Sequence, residues 1–526
     1  MRPQVLRAAV VVFSASFCTL VIEIVAGRVL APYVGVSLFT WTSIIGVVLA
    51  GISGGAWAGG WLADRRPSSS TLGLLLIASG LTAFLIVPAI DFLAADDGLL
   101  STLGIAMTLL QRVVLLSFLL FFTPAFFLGM TSPVAVRLAM RDVETAGRVV
   151  GRLSALSTLG AIAGTFMTGF YFVAEFGTRA TLNGVAVALI LTALLFGDLL
   201  GRWGRTAVAA FAVGGLLVAL FSSPFPSPDG GPAFVPEGMG EIHAEESQYY
   251  AIRVERTVRD DTGAPLVSLH LDHLVHSYND LSDPSHLEYG YLRIFNDAVD
   301  WRARRSGKFR LLFIGGGGYT LPLAVEHAHP GAEIDVVEID PAVTRVARRF
   351  FGVTRSSAIR SINEDARWFA MRSAERYDAM FIDAFDDLSV PYHLTTLEFT
   401  RRLAGMLTQD GVLAANVIDD YRNGRFLASY IRTLQEVFGE SNVALLMEGP
   451  EEMESSRSTF VVYASAALSS ILREEAPASG AYVLPHSDLQ RYLQQREGFV
   501  LTDDYAPVDN MLAPLFADRF VDEVGE

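Results

Sequence analysis

The sequence predicts two parts. An amino-terminal α-helical transmembrane bundle of about seven spans is followed by a carboxy-terminal α/β domain, with a small β-domain ahead of it. Three observations carry this reading. Apolar segments of membrane-spanning length recur through the first 222 residues. A strand, glycine turn, helix and second strand are written into Leu311 to Asp340, LLFIGGGGYTLPLAVEHAHPGAEIDVVEID. Charge is also split along the chain. Residues 1–245 hold 13 acidic and 13 basic side chains, while residues 246–526 hold 43 and 27, so the whole net charge of −16 lies in the second part.

The apolar segments fall at about 8–30, 38–62, 71–93, 113–135, 153–174, 181–200 and 205–222. The first is too long for a cleaved signal peptide, has the wrong flanks, and is followed by further spans. Small residues recur at four-residue spacing in the second (Gly51, Gly55, Gly59) and the fifth (Gly160, Gly164). That spacing lets helix backbones approach closely in lipid. Glu23, Arg28, Asp91, Arg112 and Glu175 are the ionisable groups at membrane depth, and they are expected to face protein partners or the interface. Arginines gather in alternate loops: Arg2 and Arg7, Arg65 and Arg66, Arg137, Arg141 and Arg148, Arg202 and Arg205. The positive-inside rule therefore puts the amino terminus in the cytoplasm of a multi-pass cell-membrane protein.

Residues 223–245 read as a proline- and glycine-rich linker. The runs YYAIRVERTV and PLVSLHLDHLVHS then alternate like antiparallel strands joined by a turn, giving a small β-domain with a helical lead-in over residues 246–300. From residue 301 to 526, strands (LLFIG, IDVVEID, IRSINED, YDAMFIDAF, GVLAANVI, STFVVYAS) alternate with helices. Such alternation predicts a mainly parallel sheet covered on both faces. The single cysteine, Cys18, excludes a disulfide framework and a thiolate metal site. No His, Cys or Asp spacing suggests a metal. The acidic second part disfavours nucleic acid and anionic lipid and suits a cationic small molecule.

Leu311 to Ile314 form a buried strand that breaks at four glycines, where backbone can approach a ligand. Glu338 lies 23 residues beyond Gly315, at the end of the next strand. In a parallel sheet this puts a carboxylate beside the glycine turn, where ribose hydroxyls bind. The turn lacks the third glycine of a dinucleotide fingerprint, so a nucleoside site is predicted. Asp383 ends a further strand at the same sheet edge.

With these residues the chain resembles the spermidine synthase family, and more closely the bacterial proteins that fuse a multi-span membrane domain ahead of a spermidine synthase-like domain. LVIEIVAGRVLAPYVG and TWTSIIGVVLAGISGG resemble that group's first two helices, and DLSDPSHLEYGYLRIF and LTDDYAPVDNML segments of its soluble part. The resemblance implies a Rossmann-like domain of the S-adenosylmethionine-methyltransferase type and a polyamine aminopropyltransferase. Its donor would be decarboxylated S-adenosylmethionine and its acceptor putrescine or a related amine. Residue by residue it implies that Gly315 and Gly317 form the turn beside the methionine part and that Glu338 binds the ribose hydroxyls. Asp365, with Ala366, would meet the adenine amino group. Asp383 would accept the proton of the attacking amine, and Asp386 would help hold the cationic substrate. The chemistry suits these types: a sulfonium donor needs a positioned amine, and a protonated amine needs a carboxylate to attract it and take its proton.

The chain departs from the family in places. Its GGGDG turn has Gly318 where the family has an aspartate, a contact to an ammonium worth about 1.5–3 kcal/mol. Tyr289, Gly290 and Tyr291 replace a tyrosine-histidine-glutamate segment, and His276 stands for a glutamine; His276 and Tyr291 are therefore expected at the substrate. Two alternatives follow: an S-adenosylmethionine-dependent methyltransferase, or a non-catalytic polyamine or nucleoside sensor coupled to transport. Expected partners are a small cationic amine and the lipid bilayer, with no nucleic acid, and a homodimer is left open. Seven spans would put residues 223–526 outside, against a donor made in the cytosol; one helix fewer removes the conflict.

Overall fold

A computed structural model describes residues 3–35, 37–94, 99, 109–140, 144, 146–199, 240–259, 262–272, 274–354, 356–384, 390–473 and 477–517. The chain divides into two compact units, essentially residues 1–232 and 233–522.

In the first unit, six stretches are helical, long and apolar enough to cross a membrane by length and composition: Gln4–Val34, Leu38–Arg65, Ser69–Ala94, Leu110–Ala139, Ala146–Phe172 and Glu175–Phe196. The seventh expected segment, 205–222, lies outside the described residues. The small-residue stripes do what their spacing predicts. A Cβ on Gly55 would lie 2.0 Å from the Phe126 carbonyl oxygen, and one on Gly160 would lie 2.4 Å from that of Phe13. Helix backbones thus pack directly on each other at these points. Asp91 is held by the Tyr33 hydroxyl (2.7 Å) and Arg179 (3.1 Å), and Arg112 donates to the Ala94 carbonyl (3.2 Å).

The second unit opens with a four-stranded antiparallel sheet in the order β1-β2-β3-β4: β1 Gly240–Glu246, β2 Ala251–Val258, β3 Pro265–Leu271 and β4 Leu274–Asn279. Its first strand begins inside the stretch read from sequence as linker. Helix α1 (Gly290–Arg305) follows, then an eight-stranded sheet. Its strands are β5 Arg310–Ile314, β6 Glu333–Glu338, β7 Ile359–Asn363, β8 Tyr377–Ile382, β9 Leu407–Asp419, β10 Val443–Met447, β11 Ser458–Ala464 and β12 Tyr482–Val483. The order is β12-β10-β11-β9-β8-β5-β6-β7. Strands β7, β6, β5, β8 and β9 are mutually parallel, whereas β11 and β10 run antiparallel to their neighbours. Every residue of β8 and of β10 is buried, so both faces of the sheet are covered.

The chain runs outward from β5 to β6 and β7, then returns to the other side of β5 as β8. This reversal is the switch point at which α/β sheets open a crevice beyond their strand ends. Beneath it lies an aromatic stack, with Phe313 4.8 Å and Phe295 5.1 Å from Phe381, centroid to centroid. These rings fix the ends of β5 and β8 against α1.

Candidate active site

Strand β5 delivers the glycine turn to the crevice. Gly315 has φ +97° and Gly317 φ +49°, in the half of backbone space that side chains disfavour. Gly315 is constrained twice, because a Cβ there would lie 2.3 Å from the Asp383 carbonyl oxygen. The turn also binds the acid predicted from its spacing. Gly316 N–H donates to Glu338 Oε2 (2.8 Å), and Asp340 N–H donates to Oε1 (2.9 Å). Burial pushes the Glu338 carboxyl above its ordinary range, and these backbone donors oppose the rise.

Gly318 is enclosed. Its N–H donates to Ser277 Oγ (2.8 Å) and its carbonyl accepts from Asn279 Nδ2 (2.9 Å). A Cβ at 318 would meet Ser277 Cβ at 2.7 Å and Phe351 Cδ1 at 2.9 Å. Strand β4 therefore fills the place where a side chain would stand, which is a physical reason for glycine there.

Asp383 follows β8 directly, and its N–H donates to the Ile314 carbonyl (2.9 Å). Its carboxylate is held at both ends. The Tyr291 hydroxyl donates to Oδ2 (2.9 Å), and Asn416 Nδ2 donates to Oδ1 (2.9 Å). Burial raises the Asp383 carboxyl, with both donors pulling it back; Tyr291, buried beside it, is pushed well above the usual phenol range. Helix α2 (Ala366–Arg372) is capped by Asp365, whose Oδ1 accepts from Trp368 N–H (2.8 Å). Its Oδ2 lies 3.0 Å from His393 Nε2. His276 is lowered to about 4 by burial and by His270, so its ring is neutral near pH 7, with Nε2 buried and without a partner.

Gly315, Gly317, Glu338, Asp365, Ala366, His276, Tyr291 and Asp383 all line one cavity of about 670 Å³. Of the residues chosen from sequence, Asp386 lies outside the described residues. Asn416, Glu448, Tyr249 and His393 also line the cavity, and sequence reading missed them. Asn416 had a signal, since it sits in GVLAANVI at the edge already assigned to the site. Glu448 had none.

A glycine turn and an acid at adjacent parallel strand ends, beside a second carboxylate across the switch point, define an α/β domain of the methyltransferase type. Residues 305–447 match the spermine/spermidine synthase domain family. A polyamine aminopropyltransferase of Vibrio vulnificus (strain CMCP6) is 35% identical over 134 residues, which is 25% of this chain and 44% of that protein. The chain thus spans less than half the length of that relative. Polyamine aminopropyltransferase 1 of Streptomyces coelicolor is 27% identical over 433 residues, covering 76% of this chain and 73% of that one. Among solved structures, a probable spermidine synthase from Corynebacterium glutamicum is similar at TM-score 0.43 and 21% identity, over 52% of this chain and 99% of that one.

Proposed function

We propose that this chain is a membrane-bound polyamine aminopropyltransferase that uses decarboxylated S-adenosylmethionine and an amine of the putrescine class. The observation that carries the reading is the single cavity holding the glycine turn, Glu338 and Asp365 together with Asp383. Gly315 and Gly317 would bring backbone against the methionine part. Glu338 would take the ribose hydroxyls, and Asp365 with Ala366 the adenine edge. The acceptor nitrogen attacks the methylene carbon next to the sulfonium. The new C–N bond forms as the C–S bond breaks, and the bond pair neutralises sulfur to leave methylthioadenosine. The nitrogen's surplus proton passes to Asp383, whose raised carboxyl makes it a stronger base than an exposed aspartate. Tyr291 and Asn416 hold that carboxylate in position, and His276 and Tyr291 line the substrate side.

We further infer that the first unit sits in the cell membrane. Large apolar side chains point outward from its helices, with Trp57 82% and Phe170 75% exposed, as lipid-facing residues are. Purified protein given decarboxylated S-adenosylmethionine and putrescine should release methylthioadenosine. Asp383→Asn should lower kcat about 100-fold or more while nucleoside affinity, read by calorimetry, stays within about threefold. Unchanged turnover in that variant would remove Asp383 from the mechanism. Tighter binding of S-adenosylmethionine than of its decarboxylated form would turn the reading to methyl transfer.

A further inference from the structure

The cavity wall carries a carboxylate to which the reaction above gives no task. Glu448 directly follows β10, and its carboxyl occupies the place of a missing side chain. A Cβ built on Gly290 would stand 1.7 Å from both Cδ and Oε1 of Glu448. Gly290 opens α1, one residue before the Tyr291 that holds Asp383. A glycine at 290 therefore admits the Glu448 carboxyl group to the wall beside the Tyr291–Asp383 pair, and both Gly290 and Glu448 line the cavity. Glu448 is half-exposed, and its Oε2 accepts from Arg293 at 2.9 Å, leaving Oε1 as the oxygen turned to Gly290.

A second observation points to a nitrogen ligand. Asn416 is 7% exposed and lines the same cavity. Its Nδ2 is spent on Asp383, and its Oδ1 is buried without a partner. A buried amide oxygen in this state calls for an N–H donor, and an ammonium group brings three. One cavity thus offers an unsatisfied acceptor beside Asp383 and a charged acceptor at its exposed rim. These two positions suit a chain with an amine at each end better than one with a single amine.

We propose that Glu448, admitted by Gly290, recognises the distal ammonium of a diamine acceptor and so sets the preference for diamines over monoamines. This rests on the aminopropyl-transfer reading for its chemistry, but not for its binding test. A carboxylate near the start of α1 would also complement the positive end of the helix. That purely structural role would affect all amines alike.

The test uses the full chain in detergent or nanodiscs, saturated with methylthioadenosine, with putrescine and butylamine as probes. Calorimetry should show wild type binding putrescine at least about tenfold more tightly than butylamine. Glu448→Gln should remove most of that margin by weakening putrescine alone, and Glu448→Asp should restore part of it. Gly290→Ala, which displaces the carboxyl group sterically, should reproduce the loss. With decarboxylated S-adenosylmethionine as donor, Glu448→Gln should raise KM for putrescine several-fold and leave kcat within about twofold. The proposal is overturned if wild type does not discriminate the two amines, or if Glu448→Gln weakens both equally. Discrimination without methylthioadenosine release from the donor would instead sink the aminopropyl reading and leave Glu448 as an ammonium site.

Discussion

Asp383 has two oxygens and two fixed donors, Tyr291 and Asn416, so its orientation is set before any substrate arrives. Burial lifts its carboxyl above the ordinary range while each donor favours the charged form. Only the ionised carboxylate accepts a proton, so the acidic limb of kcat/KM should lie above the pH at which an exposed aspartate ionises. The sign for a variant follows. Tyr291→Phe removes a donor that stabilises the carboxylate, which raises the carboxyl further and moves the acidic limb to higher pH. A pH–rate profile of wild type and variant checks this; a limb that stays put or moves down would mean Tyr291 does not bond the carboxylate during turnover. The sequence could place Asp383 at the sheet edge because it ends a readable strand. It could not show the partner tyrosine, which lies 92 residues away, or the asparagine 33 residues away. Spacing reveals neighbours along one element, whereas these bonds depend on which strands the sheet brings side by side.

At the scale of elements, the strand-turn-helix-strand unit was legible because a fully buried parallel strand is a short apolar run bounded by punctuation, and glycines supply it. Strand β10, VALLM, was not read: a five-residue apolar run cannot be told from part of a helix by periodicity alone. The contribution of β4 was equally hidden, and it matters most at Gly318. Sequence comparison alone presents that residue as a lost carboxylate, so restoring an aspartate looks like a repair. The packing argues otherwise. Ser277 and Phe351 stand within 2.9 Å of the Cβ position, and Ser277 already uses the Gly318 N–H. Gly318→Asp should therefore destabilise the second unit by about 1–3 kcal/mol and lower, not raise, kcat/KM. Thermal unfolding together with amine kinetics reads both quantities. A stable variant with improved turnover would mean that β4 yields to a carboxylate there.

For the whole molecule, the arginine pattern and the chemistry of the site make one joint demand. We propose that the amino terminus lies in the cytoplasm, the side to which the positive-inside rule assigns the four arginine clusters. Six crossings, matching the six described helices of spanning length, return the chain to that side. Under the proposed function the second unit must also lie there, because its nucleoside donor is made in the cytosol. A crossing by residues 205–222, which lie outside the described residues, would put donor and domain on opposite sides of the membrane. The two demands agree only if the chain crosses six times. Reporter fusions after Leu199 and after Glu526 should accordingly both give the cytoplasmic signal, as should one placed ahead of the first helix. An external signal at Glu526 with a cytoplasmic one at Leu199 would establish the seventh crossing. Such a result would remove access to a cytosolic donor and leave the cavity to a nucleoside or amine supplied from outside, which favours sensing or transport over aminopropyl transfer.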